Sequence, residues 1–235
     1  MHYESGSAYC TRDQAILALI HVCTKAPKPP PPPPPSKEVA SSLCLVLHMC
    51  DRPHVREQYN ASLSFWNAVN QSDIYAIDSC SNSTLTTFRR ITRLPFQQQS
   101  KPLDRFYLSG LERQQMEAAV NLLPPHCQFV VKLTGKYATA RLLPALAARP
   151  SGTMLAVQSW GTSYGGWHSE VFGMDRSFMR KALSSWSDGR NTERFLLQMK
   201  DLLEYVAPGT VFSLPRLPLM KAAYRSGDRM RITVL

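Results

Sequence analysis

The chain has 235 residues, 44% hydrophobic and 19% charged; that length and apolar content suffice to bury a core and exclude disorder as its general state. Its 27 basic against 17 acidic residues leave a net charge of +10, which favours anionic partners, and no run approaches the roughly 20 apolar residues of a membrane-spanning helix. The six cysteines form no CxxC pair and have no histidine at zinc-finger spacing, which argues against a structural metal site.

Residues 29–35 are an uninterrupted proline run, an extended polyproline II rod with no internal hydrogen bonds. It divides a leader with a polyproline linker, residues 1–40, from a domain over residues 41–235. The continuous apolar run at 43–49 predicts a strand buried on both faces, and Cys44 within it reads as a buried thiol. Tyr59, Leu63, Trp66 and Val69 recur at helical spacing and predict a helix over 56–70. Asn60, Asn70 and Asn82 each open an Asn-x-Ser/Thr acceptor pattern, which leaves both the cytoplasm and the lumen of the secretory pathway open.

A second strand follows at 73–78 and ends in the polar turn 79–83. Ser109 as N-cap with Glu112 as the reciprocal capping residue predicts a helix over 111–123, stopped by Pro124 and Pro125. Residues 129–133 form a third strand, 141–148 a helix and 153–159 a fourth strand. The Gly-rich loop 161–166 leads into 167–174, and helices are predicted over 176–186 and 192–205. Strands alternating with helices imply an α/β domain with a mostly parallel central sheet and helices on both faces, with ligands at the strand carboxyl ends. No GxGxxG follows the first strand, which disfavours a dinucleotide-binding domain.

The segment with the most chemistry is Lys132-Leu-Thr-Gly-Lys-Tyr137, a strand end running into a turn. Lys132 and Lys136 supply positive charge, Thr134 a hydroxyl, and Gly135 a backbone with no Cβ to hold a ligand away. A Walker A loop is excluded, because Val130 stands where its first glycine belongs and Tyr137 where its Ser or Thr belongs. No Asp or Glu lies between Glu117 and Glu170, while Lys132, Lys136, Arg141 and Arg149 do. The predicted strand ends gather Asp51 and Arg52, the turn from Asp78 and Ser79 to Ser83, residues 132–137, and residues 159–170 around one crevice. Trp160, Tyr164 and Trp167 flank the Gly-rich loop, where aromatic faces suit either a sugar-stacking platform or the packing of a lid.

Taken together, this order resembles the GT-A-fold nucleotide-diphospho-sugar transferases, particularly those with a Lys-(Leu/Ile)-Thr-Gly-(Arg/Lys)-Tyr motif in place of a metal-binding Asp-x-Asp. The resemblance covers residues 42–228 and rests on residues 132–137, Asp78 with its Ser/Asn turn, Ser169-Glu-Val-Phe-Gly173, the helix bearing Glu193, Leu214-Pro-Arg-Leu-Pro218 and Arg225-Ser-Gly227. It implies a glycosyltransferase that moves a sugar from a nucleoside diphosphate donor to a glycan or other hydroxyl acceptor. Carried over by position, Asp51, Arg52, Asp78 and Ser79 meet the nucleoside, and Lys132, Thr134, Gly135 and Lys136 the diphosphate. Glu170 is the catalytic base, and Trp160, Trp167 and His168 fall on the acceptor side. A Mn2+ or Mg2+ ion commonly offsets the diphosphate charge in such enzymes, but the motif here offers no carboxylate; cationic side chains, Arg225 among them, are the expected replacement. The alternatives are a non-catalytic nucleotide- or glycan-binding module of the same fold and a basic nucleic-acid-binding protein. The last has charge alone to support it, since no RNP motif, zinc finger or recognition helix is present.

Overall fold

The computed structural model describes residues 42–50, 52–69, 73–80, 85, 87–97, 107–159, 167–186, 191–215, 217–221 and 231–234, of which 107, 108, 159, 167, 168, 218–221 and 231–234 are described by backbone alone. The expected leader, Asp51, Trp160, the Gly-rich loop and Arg225 lie outside these residues, and so do the side chains of Trp167 and His168. In chain order the elements are β1 (Leu43–Met49), α1 (Arg56–Ala68), β2 (Asp73–Asp78), β3 (Ile91–Leu94), α2 (Tyr107–Leu122), β4 (Phe129–Thr134), β5 (Tyr137–Ala138), α3 (Leu142–Ala147), β6 (Leu155–Ser159), β7 (Trp167–Asp175), α4 (Arg176–Ser185), α5 (Thr192–Val206), β8 (Val211–Leu214), β9 (Pro218–Lys221) and β10 (Arg231–Val234). None of the helices among the described residues is long and apolar enough to cross a membrane.

All seven residues of β1 are buried, which requires cover on both sheet faces. The main sheet has the order β3-β2-β1-β4-β7-β6-β8. Its strands are parallel except β7, which runs against both β4 and β6. The expected mixed α/β domain with a mostly parallel sheet is therefore the architecture observed. A small second sheet pairs β5, β9 and β10.

Side chains alternate between two cores. Leu43, Leu45, Leu47 and Met49 of β1 join Tyr59, Leu63 and Trp66 of α1 and Leu142, Leu143 and Leu146 of α3 on one face. Val46 points the other way, to Met116, Ala119 and Val120 of α2, Met179 and Leu183 of α4, and Phe195, Leu196 and Met199 of α5. Arg176, at the first position of α4, closes the far end of α2: its guanidinium donates to the carbonyls of Val120, Leu123 and Pro124 at 2.5–3.1 Å. These carbonyls lie in and just beyond the last turn of α2, where a cation is well placed beside them.

Two expectations about this part of the chain are corrected. The second helix starts at Tyr107, so Ser109 lies within its first turn and does not cap it. Glu112 instead pairs with the buried ammonium of Lys132. Cys44 is no thiol: it forms a disulfide with Cys127, 83 residues away, with Cα atoms 5.4 Å apart. The register that pairs Leu43 with Phe129 brings the two cysteines together, a proximity created by the parallel pairing of β1 and β4. A second disulfide joins Cys50 to Cys80.

Candidate functional site

Parallel pairing aligns the carboxyl ends of β1, β2 and β4. Met49 lies opposite Asp78, and His48 opposite Thr134. β7 enters the sheet at this same edge because it runs the other way, with Val171 opposite Leu133. The edge thus collects Asp78 and Ser79 from the end of β2, Thr134 from the end of β4 and Glu170 from β7.

The β2 end is held rigidly. Ser79 donates through its amide and its hydroxyl to the Met49 carbonyl at 3.1 and 3.2 Å. The Cys80 amide donates to Asp78 Oδ1 at 2.9 Å, and the Cys50–Cys80 disulfide ties that turn to the end of β1. Gln115, buried on α2, donates to the carbonyls of Met49 and Ile77 at 2.9 and 3.2 Å, so both strand ends are closed from below.

Glu170 owes its direction to a β-bulge. Pairing of β6 with β7 runs from Val157–Phe172 directly to Gln158–His168, which leaves Ser169, Glu170 and Val171 between the two steps. Bulges break the two-residue alternation and re-aim side chains. Here the Ser169 hydroxyl donates to Glu193 Oε1 on α5 at 2.5 Å, while Glu170 turns to the opposite face. There the Tyr137 hydroxyl lies 3.5 Å from Glu170 Oε1. The Tyr137 carbonyl accepts from Ser62 at 2.7 Å and from the Trp66 indole at 3.0 Å, both on α1, and these bonds hold the main chain that carries the ring. Burial pushes the Tyr137 phenol well above its ordinary value and the charge of Glu170 adds to the shift, so the hydroxyl keeps its proton.

Tyr59 completes this wall. Burial raises its phenol; the Cys50 backbone and Arg52 pull against that, while the charges of Asp78 and Glu170 reinforce it. One phenol therefore feels both carboxylates and the exposed Arg52 guanidinium. This edge thus sets two carboxylates and two phenols beside the cations Arg52 and Lys136, the latter with its ammonium 5.2 Å from the centre of the Tyr137 ring. Tyr59 and the Cys50–Cys80 link were not read as site features from the sequence. Two cysteines placed directly after two successive strands were the available signal for the link.

Lys132 is elsewhere. It is 2% exposed, forms an ion pair with Glu112, and donates to Thr134 Oγ1 at 3.1 Å and to the Ser169 carbonyl at 2.5 Å. Glu112 also accepts from Thr192. The bulge takes the Ser169 carbonyl out of the sheet ladder, and this buried ammonium satisfies it. Gly135 likewise serves the fold: its amide donates to the His48 carbonyl at 2.7 Å, and an added Cβ would meet Met49 Cγ at 2.4 Å. The space that the sequence reading gave to a ligand is taken by the end of β1.

His48 lies buried on the Lys132 face, and burial first, then the Lys132 charge, depress its imidazole well below the ordinary value, against a smaller opposing contribution from Gln115. Below the unfolded-state value near 6.5 the unfolded chain takes up a proton that the folded chain refuses, so stability falls as pH falls. The expected slope reaches about 1.4 kcal/mol per pH unit, one proton's worth. Urea unfolding at pH 7.5 and 5.5 checks this, and His48→Gln should flatten the difference.

Divalent ions such as Mn2+ or Mg2+ require several oxygens gathered at about 2.0–2.6 Å. Asp78 and Glu170 belong to β2 and β7, three spacings apart in the sheet, or about 14 Å between backbones. A single ion shared by the pair would need both side chains extended toward it. Among the described residues, the one group of three or more close-set metal-ligand side chains is Cys44, His126 and Cys127, at the opposite, amino edge of the sheet.

The sequence matches no family model and no curated protein. Similar solved structures include the 4-diphosphocytidyl-2C-methyl-D-erythritol synthase of Anaerococcus prevotii, at 9% identity and a TM-score of 0.43 over 76% of this chain and 89% of that one. Mouse xyloside xylosyltransferase 1 is 10% identical, with a TM-score of 0.44 over 73% and 84% of the two chains. A Drosophila β-1,4-galactosyltransferase 7 variant, solved with manganese, UDP-Gal and xylobiose, is 10% identical with a TM-score of 0.43; 73% of this chain and 65% of that one are covered.

Proposed function

We propose that this chain transfers a glycosyl group from a nucleoside diphosphate sugar to a hydroxyl acceptor, with Glu170 as the base. The observation that carries the reading is the bulge in β7, beside which a carboxylate turns toward Tyr137 at the carboxyl edge of the parallel strands. In the proposed step the acceptor hydroxyl gives its proton to Glu170 and its oxygen attacks the anomeric carbon. The bond from that carbon to the diphosphate oxygen breaks, and the nucleoside diphosphate leaves with the electron pair. Asp78 and Ser79, with Asp51, hold the nucleoside. Arg52, Lys136 and Arg225 meet the diphosphate, and Trp160, Trp167 and His168 form the acceptor side. Lys132, Thr134 and Gly135 support these groups from behind the edge.

The test is release of nucleoside diphosphate from a panel of sugar nucleotides by the full chain, with manganese or with chelator. Catalytic release that survives the chelator is expected. Lys136→Ala should weaken diphosphate binding by about 1–3 kcal/mol and barely change binding of the free nucleoside. Binding without release would make the protein a nucleotide-binding module, and steeply salt-dependent uptake of generic oligonucleotides would make it a nucleic-acid binder.

A further inference from the structure

At the amino edge of the sheet, far from the crevice, four side chains of zinc-ligand type meet. Cys44 is the second residue of β1, Asp73 opens β2 directly opposite it, and His126 and Cys127 precede β4. The ligand atoms of Cys44, His126 and Cys127 all lie within 4.8 Å of one another. Asp73 Oδ2 stands 2.6 Å from His126 Nε2. Both cysteines are fully buried, whereas the His126 and Asp73 side chains are half exposed.

A disulfide uses only the two sulfurs, and an exposed histidine–carboxylate pair adds little to stability. The same four groups do form a coherent metal site: two thiolates and an imidazole as ligands, an open fourth position toward solvent, and a carboxylate beside the imidazole that either orients it or fills that position. Zn–S bonds of about 2.3 Å place tetrahedral sulfurs roughly 3.8 Å apart. Cysteines whose Cα atoms are 5.4 Å apart reach that separation by side-chain rotation, without moving the strands.

We propose that the reduced chain binds Zn2+ through Cys44, Cys127 and His126, with Asp73 supporting the imidazole, so that disulfide and zinc are alternative closures of the joint between β1, β2 and β4. A dithiol reductant transfers two electrons and two protons to the Cys44–Cys127 bond and is itself oxidised to a disulfide; two thiols result. Zn2+ then displaces both thiol protons. Oxidising compartments keep disulfides and reducing ones keep thiols, and this joint has a closure for each.

The experiment is a titration of the full chain, reduced and then freed of reductant without air, with Co2+ as a spectroscopic probe and Zn2+ as competitor. One equivalent of Co2+ should give an ultraviolet sulfur-to-cobalt band that Zn2+ abolishes, and the oxidised chain should give none. The band should persist in Cys50→Ser/Cys80→Ser and disappear in Cys44→Ser/Cys127→Ser. His126→Ala, a half-exposed change that spares the core, should weaken binding at least tenfold, and Zn2+ should raise the melting temperature of the reduced wild type more than that of this variant. No sulfur-to-cobalt band in the reduced chain, a band lost with Cys50 and Cys80, or a His126→Ala variant that binds as tightly as wild type would each overturn the proposal.

Discussion

Replacing Glu170 by glutamine is expected to lower glycosyl transfer by about 10²–10⁴-fold while donor affinity and the melting temperature stay close to wild type. Glutamine keeps the size of the side chain and its contact with the Tyr137 hydroxyl, but an amide oxygen does not take the acceptor's proton. The bulge holds the side chain from both sides: the Ser169 carbonyl is bound by Lys132 and the Ser169 hydroxyl by Glu193. Loss of rate in the variant therefore reports on chemistry and not on a collapsed loop. The measurement is kcat and donor Kd for both proteins under the same metal condition. An active glutamine variant would rule out Glu170 as the base and leave the departing phosphate as the proton acceptor. A large chelator effect on the wild type, reversed by manganese, would show that the cationic rim does not carry the diphosphate charge alone.

Most of the parallel half of this fold was legible in local pattern. The apolar run 43–49 and the run 73–78 coincide with β1 and β2 because a strand buried on both faces has little room for polar residues. What local pattern did not show was strand direction. Residues 167–174, to which the sequence reading assigned no element, belong to β7, antiparallel beside β6, and neither composition nor length distinguishes that from a parallel strand. The short strands β3, β5, β8, β9 and β10 were missed for a related reason: two to four residues carry no periodicity to read. For the site, charge was legible and direction was not. Val131 and Leu133 face the α1 core, so alternation alone sends Lys132 to the other face, away from Tyr137 and Glu170. Glu170 breaks that alternation only because of the bulge, which depends on pairing across β6 and leaves no mark within residues 167–174 themselves.

Lys132→Met is the variant that separates a fold role from a ligand role for the central lysine. In the structure its ammonium is enclosed, paired with Glu112 and bound to Ser169 and Thr134. Removing one member of a buried ion pair leaves the other charge uncompensated, at a cost of about 3–5 kcal/mol. For a domain of this size that lowers the melting temperature by on the order of 10 °C. The Ser169 carbonyl also loses its donor, so the bulge loosens and Glu170 is no longer aimed at Tyr137. In whatever fraction remains folded, kcat should fall further than donor affinity. Lys132→Met/Glu112→Leu should recover a large part of the stability, because two apolar side chains of similar volume leave no stranded charge. Thermal and urea unfolding of the wild type, both single variants and the double variant complete the cycle. If Lys132 instead met the donor diphosphate directly, Lys132→Met would melt like the wild type and lose nucleotide affinity, and the Glu112 change would rescue nothing. That outcome would place the ammonium in the crevice and return the motif to the phosphate-binding role suggested by its sequence.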